Sequence, residues 1–203
     1  FAFGKLRCAY FQVTDWHLPP EAMKAVEIPS EVLPVLVINL GASEEELFNG
    51  FSSACRRAIR KSAQNGVIVT QAEDARLFVD NYYDQLLDVF AKQMLFPTYP
   101  KSRVEALVRH LHPTGSLLLL ESRSSEGKCI ASGIFPAFNT LMQFWGGASY
   151  RSTQKLRPNE VIFYEAMKYW KARNVTDFEL GGGGQYKQKY GPTRRKVVRI
   201  AVA

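Results

Sequence analysis

No apolar run in this 203-residue sequence approaches the roughly 18 residues needed to cross a bilayer as a helix, so no membrane span is expected. The longest apolar stretches, 32–40 and 116–120 with their neighbours, are of strand length. Cysteine is scarce. Cys8, Cys55 and Cys129 form an odd set without a C-x-x-C pair, which argues against a disulfide framework and a zinc site. Reduced, partly buried thiols fit a cytoplasmic chain. Histidine is equally sparse: His17 stands in a proline-rich stretch without an obvious partner, and His110-x-His112 has no acid cluster nearby, so no metal is expected. A serine-centred nucleophile elbow, a P-loop and the Rossmann glycine pattern are all missing. Disorder is excluded by 46% hydrophobic and 12% aromatic residues.

Charge is present but unevenly placed. Residues 151–203 hold 12 Lys/Arg against 4 acids, whereas the first 150 hold 14 against 15, so the whole excess of +7 belongs to the last quarter. One further basic knot is Arg56, Arg57, Arg60 and Lys61, which share less than half of a helix cylinder when placed at 100° per residue. Such clustering points to a polyanionic or phosphate-bearing ligand.

Turn and cap signals give the element order. Gly4–Val13 and Val35–Leu40 read as strands. Ser43 with Glu46 forms a capping box that opens a helix running to about Gln64, where Asn65-Gly66 stops it. Val67–Thr70 is the next strand, followed by helices over Asp74–Met94 and Lys101–Leu111. Ser116–Ser122, Lys128–Phe135 and Thr140–Ala148 form an antiparallel meander. A helix from Asn159 to Lys171 has Pro158 in its first turn. Val175–Leu180, a short helical turn over Gln185–Tyr190 and Lys196–Val202 complete the chain. The pattern predicts an α/β fold of the α+β type, a mixed and mainly antiparallel sheet flanked by helices, with one parallel pair after the crossover. Trp145 and Trp170 are expected in the core.

The stretch Glu179-Leu-Gly-Gly-Gly-Gly-Gln-Tyr-Lys-Gln-Lys-Tyr-Gly191 carries most of the chemical signal. Glycines at a strand end permit close backbone approach and expose several N–H donors. The turn after them presents Tyr186, Lys187, Lys189 and Tyr190. These features predict a cleft in which Gly181, Gly182, Gly183, Gly184 and Lys187 hold an anion between the two tyrosines, with Glu179 as the nearest candidate base.

Several pieces together resemble the FemAB-type aminoacyltransferases and their GNAT-fold relatives, including the CelD-like acyltransferases. They are Val37–Leu40, Ser43–Leu47, Arg57-x-x-Arg60-Lys61, Asn65–Val67, Ile130-Ala131, Gly147–Ser149, Arg157–Asn159, Phe178–Gly181 and Tyr186-Lys187-x-x-Tyr190-Gly191. The resemblance implies a GNAT-like domain over 73–192 and a truncated first GNAT-like subdomain over 1–72, which 193–203 would complete. It also implies acyl or aminoacyl transfer to an amine, on a cell-envelope or polysaccharide precursor. Lys187 becomes the cation near the reaction centre. Arg57, Arg60, Lys61, Arg157 and Asn159 join the binding set. The donor is aminoacyl-tRNA or acyl-CoA, with no tightly bound cofactor, and tRNA is a candidate partner. Gln154–Asn159 lacks the glycines with which acetyl-CoA-dependent members cradle a pyrophosphate, which weakens CoA. The alternatives are an acyl-CoA-dependent N-acetyltransferase and a non-catalytic module that binds an anionic ligand. The oligomeric state is left open.

Overall fold

The computed structural model describes residues 3–5, 7–16, 18, 21, 29–181 and 184–202. Among these the strands are β1 (Phe11–Asp15), β2 (Ser30–Asn39), β3 (Ile68–Gln71), β4 (Leu117–Arg123), β5 (Cys129–Phe138), β6 (Leu141–Gln143), β7 (Gly146–Ser149), β8 (Asp177–Gly181) and β9 (Thr193–Val202). The helices are α1 (Glu44–Gly50), α2 (Ser53–Gln64), α3 (Ala75–Ala91), α4 (Lys101–Leu111) and α5 (Pro158–Lys171). The strands form one sheet in the order β1-β9-β2-β8-β6-β5-β4-β3, with β7 beside β5. All pairs are antiparallel except β6 with β8, which is the expected parallel pair across the α5 crossover.

Alternation along the strands sorts the helices onto two faces. Leu118, Leu120, Ala131, Phe135, Phe178 and Leu180 pack against α5 together with Leu47 of α1, Phe51 at the α1–α2 joint, and Cys55 and Ile59 of α2. The intervening Leu117, Leu119 and Ile134 face α3 and α4, where they meet Phe78, Val79, Tyr82, Val104 and Val108. Period-two burial therefore gives the sheet two apolar faces, each covered by helices. Trp170 is buried and donates its indole N–H to the Phe135 carbonyl at 3.2 Å, while Trp145 packs at the edge of the α3 cluster.

Four elements depart from their predicted forms. The helix expected from Ser43 to Gln64 is two helices. The Ser43–Glu46 capping box is present, but the chain becomes extended at Phe51, and Ser52 caps a new helix through its bond from the Cys55 N–H. Arg56 turns back to the Asn49 and Phe51 carbonyls, so the open end of α1 finds a donor. The strand expected over Thr140–Ala148 is also two. Three steps along β5 (Ile134 to Ala137) match four along its partner (Met142 to Gly146), so Phe144 and Trp145 form a bulge. The strand near the start runs over Phe11–Asp15 rather than Gly4–Val13, pinned by pairing with β9. β2 begins earlier than predicted and contains Pro34. Pairing with β8 starts only at Leu36, so at Pro34 one strand edge is open and a missing N–H costs little.

Candidate active site

At the bulge, two adjacent amides part company. Phe144 donates its N–H to the Glu179 carbonyl on β8, whereas Trp145 donates to the Ile134 carbonyl on β5. From there β7 follows β5 alone and separates from β8. The wedge that opens there holds a cavity of about 410 Å³, which reaches Phe163 of α5 on one side and Val89 of α3 on the other. Its walls include Phe144, Gly147, Ser149 and Phe163, and its other side is the helical turn Gln185–Tyr190 with Tyr186, Lys189 and Tyr190. Tyr190 is only 2% exposed and stacks on Phe163 with centroids 4.7 Å apart, edge-on to Phe51. Burial pushes the Tyr190 phenol well above its usual range, and the nearby Glu160 carboxylate adds to the effect. The tyrosine is therefore a neutral wall.

The start of α5 forms the floor. Asn159 lines the cavity and donates its amide to the Ser149 hydroxyl at 3.0 Å, tying the helix to the end of β7. Arg157 takes the N-cap position with φ 61°, and no side chain caps the helix there. First-turn N–H groups without a side-chain acceptor, at the positive end of the helix dipole, suit an anion. A second cavity of about 350 Å³ continues between α2 and α5, lined by Cys55, Arg57, Lys61, Arg157, Glu160 and Lys189. Arg157, Glu160 and Lys189 belong to both cavities. Lys189 pairs with Glu160 at 2.8 Å, and the Glu160 side chain is 13% exposed. Burial raises the Cys55 thiol to about 11, so it stays protonated at neutral pH.

The predicted residues divide accordingly. Arg57, Lys61, Arg157, Asn159, Tyr186 and Tyr190 meet around the two cavities. Arg60 departs from them and lies over the Phe48 ring at 5.3 Å. The four-cation face is thus split, because Arg56 caps α1, Arg60 covers an aromatic ring, and Arg57 and Lys61 alone line the pocket. Gly182 and Gly183 lie outside the described residues, as does His17. Gly181 takes φ 74° and Gly184 opens the helical turn. Lys187 folds back so that its ammonium donates to the Leu180 carbonyl and sits 5.7 Å from the Tyr186 ring centre. Burial lowers the Lys187 ammonium from its ordinary value, partly offset by the Glu179 charge. Glu179 points away from α5, alternating with Phe178 and Leu180, and accepts from the Gln143 amide at 2.6 Å. Burial raises its carboxyl; hydrogen bonds from Gln143 and Trp16 and the Lys187 charge pull the other way.

Sequence reasoning overlooks Glu160 and places Lys189 only in the turn. Helix numbering shows Glu160 in the first turn of α5, but nothing local reveals a lysine 29 residues on as its partner. Phe144 escapes notice because a bulge leaves no compositional mark. Among the described residues no three His, Cys, Asp or Glu side chains converge as a metal site, and no helix is long and apolar enough to cross a membrane.

The split between a strand pair and the helix start at its mouth together form one cleft in a mixed, mainly antiparallel sheet. The chain matches the acetyltransferase (GNAT) domain family over residues 50–190 and belongs to it. Similar solved structures have the same fold at low identity. FemX aligns with TM-score 0.72 at 13% identity, covering 81% of this chain and 61% of FemX. The C-terminal domain of a protein from Agrobacterium fabrum assigned as a lysylphosphatidylglycerol synthetase gives 0.62 at 14%, covering 89% and 64%. A conserved protein of unknown function from Bacteroides thetaiotaomicron gives 0.66 at 12%, covering 89% and 64%. This chain thus spans less than two thirds of the length of each. No curated protein sequence matches it.

Proposed function

We propose that this chain transfers an acyl or aminoacyl group from a phosphate-bearing carrier to an amine. The observation that carries the reading is the joined pair of cavities at the β7–β8 split: aromatic at the reacting end and cationic beyond the α5 start. An acyl ester or thioester would lie along Phe144, Phe163 and Tyr190, while Arg57, Lys61, Arg157 and the first-turn N–H groups of α5 hold the carrier's phosphate. Glu179 pairs with Gln143 on β8's last rung with β6, just before β7 leaves β8, and Glu179 and Lys187 each shift the other's titration. Glu179 takes a proton from the incoming ammonium. The freed amine lone pair then forms the C–N bond, the donor's C–O or C–S bond breaks, and the leaving oxygen or sulfur gains the amine's second proton. Lys187 stabilises the oxygen that gains charge on the way. Fixing both partners here can supply up to roughly 7–11 kcal/mol of barrier lowering.

The donor that fits better is an aminoacyl carrier of the kind the FemAB resemblance implies. Arg157 with positive φ and the Glu160 carboxylate occupy the place where glycine N–H groups would cradle a pyrophosphate. Melting shifts with acetyl-CoA and with aminoacyl-tRNA, followed by product analysis, test the reading. Turnover of aminoacyl-tRNA that Lys187→Ala abolishes without loss of fold supports it. Turnover of acetyl-CoA alone favours an N-acetyltransferase, and binding without turnover of either donor favours a non-catalytic module.

A further inference from the structure

The turn that follows α3 presents three large apolar side chains in succession to solvent. Met94 is 93% exposed, Leu95 55% and Phe96 88%, and among the described residues no other three consecutive large apolar side chains are exposed. The exposure does not come from a frayed helix end. The Leu95 N–H donates to the Phe90 carbonyl at 3.2 Å and the Met94 N–H to the Ala91 carbonyl at 3.1 Å, the paired bonds of a helix-closing turn. Met94 takes the left-handed position of that turn, with φ 53°. Glycine or asparagine suits such a position; a methionine there is strained and, being almost bare, buries nothing in return. Folding alone gives no reason for it.

Charge along the turn has one sign. From residue 89 to residue 104 the chain carries Lys92, Lys101 and Arg103 and no acid. Asp88, the last acid before them, holds Arg151, and Asp80 holds Lys101. Lys92 is exposed and, with Gln93, Arg151 and Gln154, lines a small cavity of about 260 Å³. Apolar side chains at the tip of a turn and cations at its base match a bilayer that carries anionic lipid. The tip enters the acyl boundary while the cations stay among the headgroup phosphates. A protein partner fits less well. Side chains of this size bury at most roughly 250 Å² each, so the three fall short of the roughly 800 Å² per partner of a stable interface.

We infer that the α3–α4 turn is a membrane-docking element, which inserts Met94, Leu95 and Phe96 into a bilayer containing anionic lipid. The inference is independent of the donor chemistry. Its consequence for the site is one of position: Val89 and Gln154 line both the small cavity beside Lys92 and the donor wedge, so docking brings the mouth of the wedge to the lipid surface. Co-sedimentation with vesicles of phosphatidylcholine and phosphatidylglycerol in equal parts, against phosphatidylcholine alone, measures the docking. Binding to the mixed vesicles is expected, weaker by about tenfold or more without the anionic lipid. Met94→Gly and Phe96→Ser keep every charge, and each is expected to weaken binding about tenfold. Met94→Gly also relieves the left-handed strain, so it melts no lower than the parent and its weaker binding is not a loss of fold. Phe96→Trp keeps the binding, and its emission moves to the blue on docking and is quenched by bromine-labelled acyl chains. Unchanged binding in Met94→Gly or in Phe96→Ser would mean that net charge alone attracts the vesicles, and would overturn the inference. Equal binding to both vesicle types would also overturn it, as would no vesicle binding, whether or not the parent self-associates through the turn. The donor reading is judged separately, by melting shifts with acetyl-CoA and aminoacyl-tRNA measured without lipid.

Discussion

Gly191→Ala tests how the helical turn of the donor site is held. Gly191 ends that turn with φ 66°, and a Cβ added there would lie 2.3 Å from the Gly50 carbonyl oxygen. The left-handed conformation alone costs a non-glycine residue about 1 kcal/mol. Relieving the overlap requires backbone to move by about 1 Å at the α1–α2 joint, where the Ser52 N–H donates to the Lys189 carbonyl at 2.8 Å. Together these give a destabilisation of about 2–4 kcal/mol, or a fall in Tm of roughly 5–15 °C for a domain of this size. Gly115→Ala provides the control, since Gly115 has φ 74° and a methyl group added to it would meet nothing within 4 Å. It bears the conformational cost alone and loses about 2–4 °C. Thermal melts by circular dichroism compare the two, and pyrophosphate titration reports the displacement of Lys189. Equal melting temperatures would refute the close contact between the turn and α1.

Arg157→Gly relieves the positive φ at the start of α5 and is expected to raise Tm by about 2–4 °C while weakening pyrophosphate binding about tenfold, measured by calorimetry. Glu179→Gln tests a sign. Its raised carboxyl pKa means that the folded state disfavours the charged form, so the stabilising contribution exists at low pH and is lost as pH rises through the folded value. The variant should therefore melt higher than the parent at pH 7 and not at pH 4, with transfer abolished at both. Cys55, raised to about 11, has about one thiolate in a thousand at pH 8. It should resist a thiol reagent in the native protein and react on unfolding, and rapid native labelling would contradict its burial.

Local signals are legible in the sequence where a single side chain decides the outcome. Ser43 with Glu46, Asp74 ahead of α3, and Gly66 with φ 71° each mark an end by their own chemistry. The helical turn over Gln185–Tyr190 and α4 over Lys101–Leu111 fall at their predicted limits. The break between α1 and α2 is hidden because its cap, Arg56, looks from sequence like one more cation on a helix face. The bulge at Phe144 is hidden because it depends on two different partners, β5 and β8, competing for adjacent amides. For the same reason the basic patch and the tyrosine pair can be picked out from sequence, while their junction at Glu160 needs α2, α5 and the last turn in place together.

The placement of β9 has a consequence for biosynthesis. β9 lies between β1 and β2, and β1's described neighbour in the sheet is β9. A ribosome delivers β1 and β2 long before β9 exists, so during translation β1 lacks its described partner and β2 lacks one of its two. The middle of the sheet, from β3 to β8, can assemble ahead of them from segments that follow one another closely. Closure of this edge must then be a late event, and a stalled or nicked chain lacking β9 would present an unpaired strand to its neighbours.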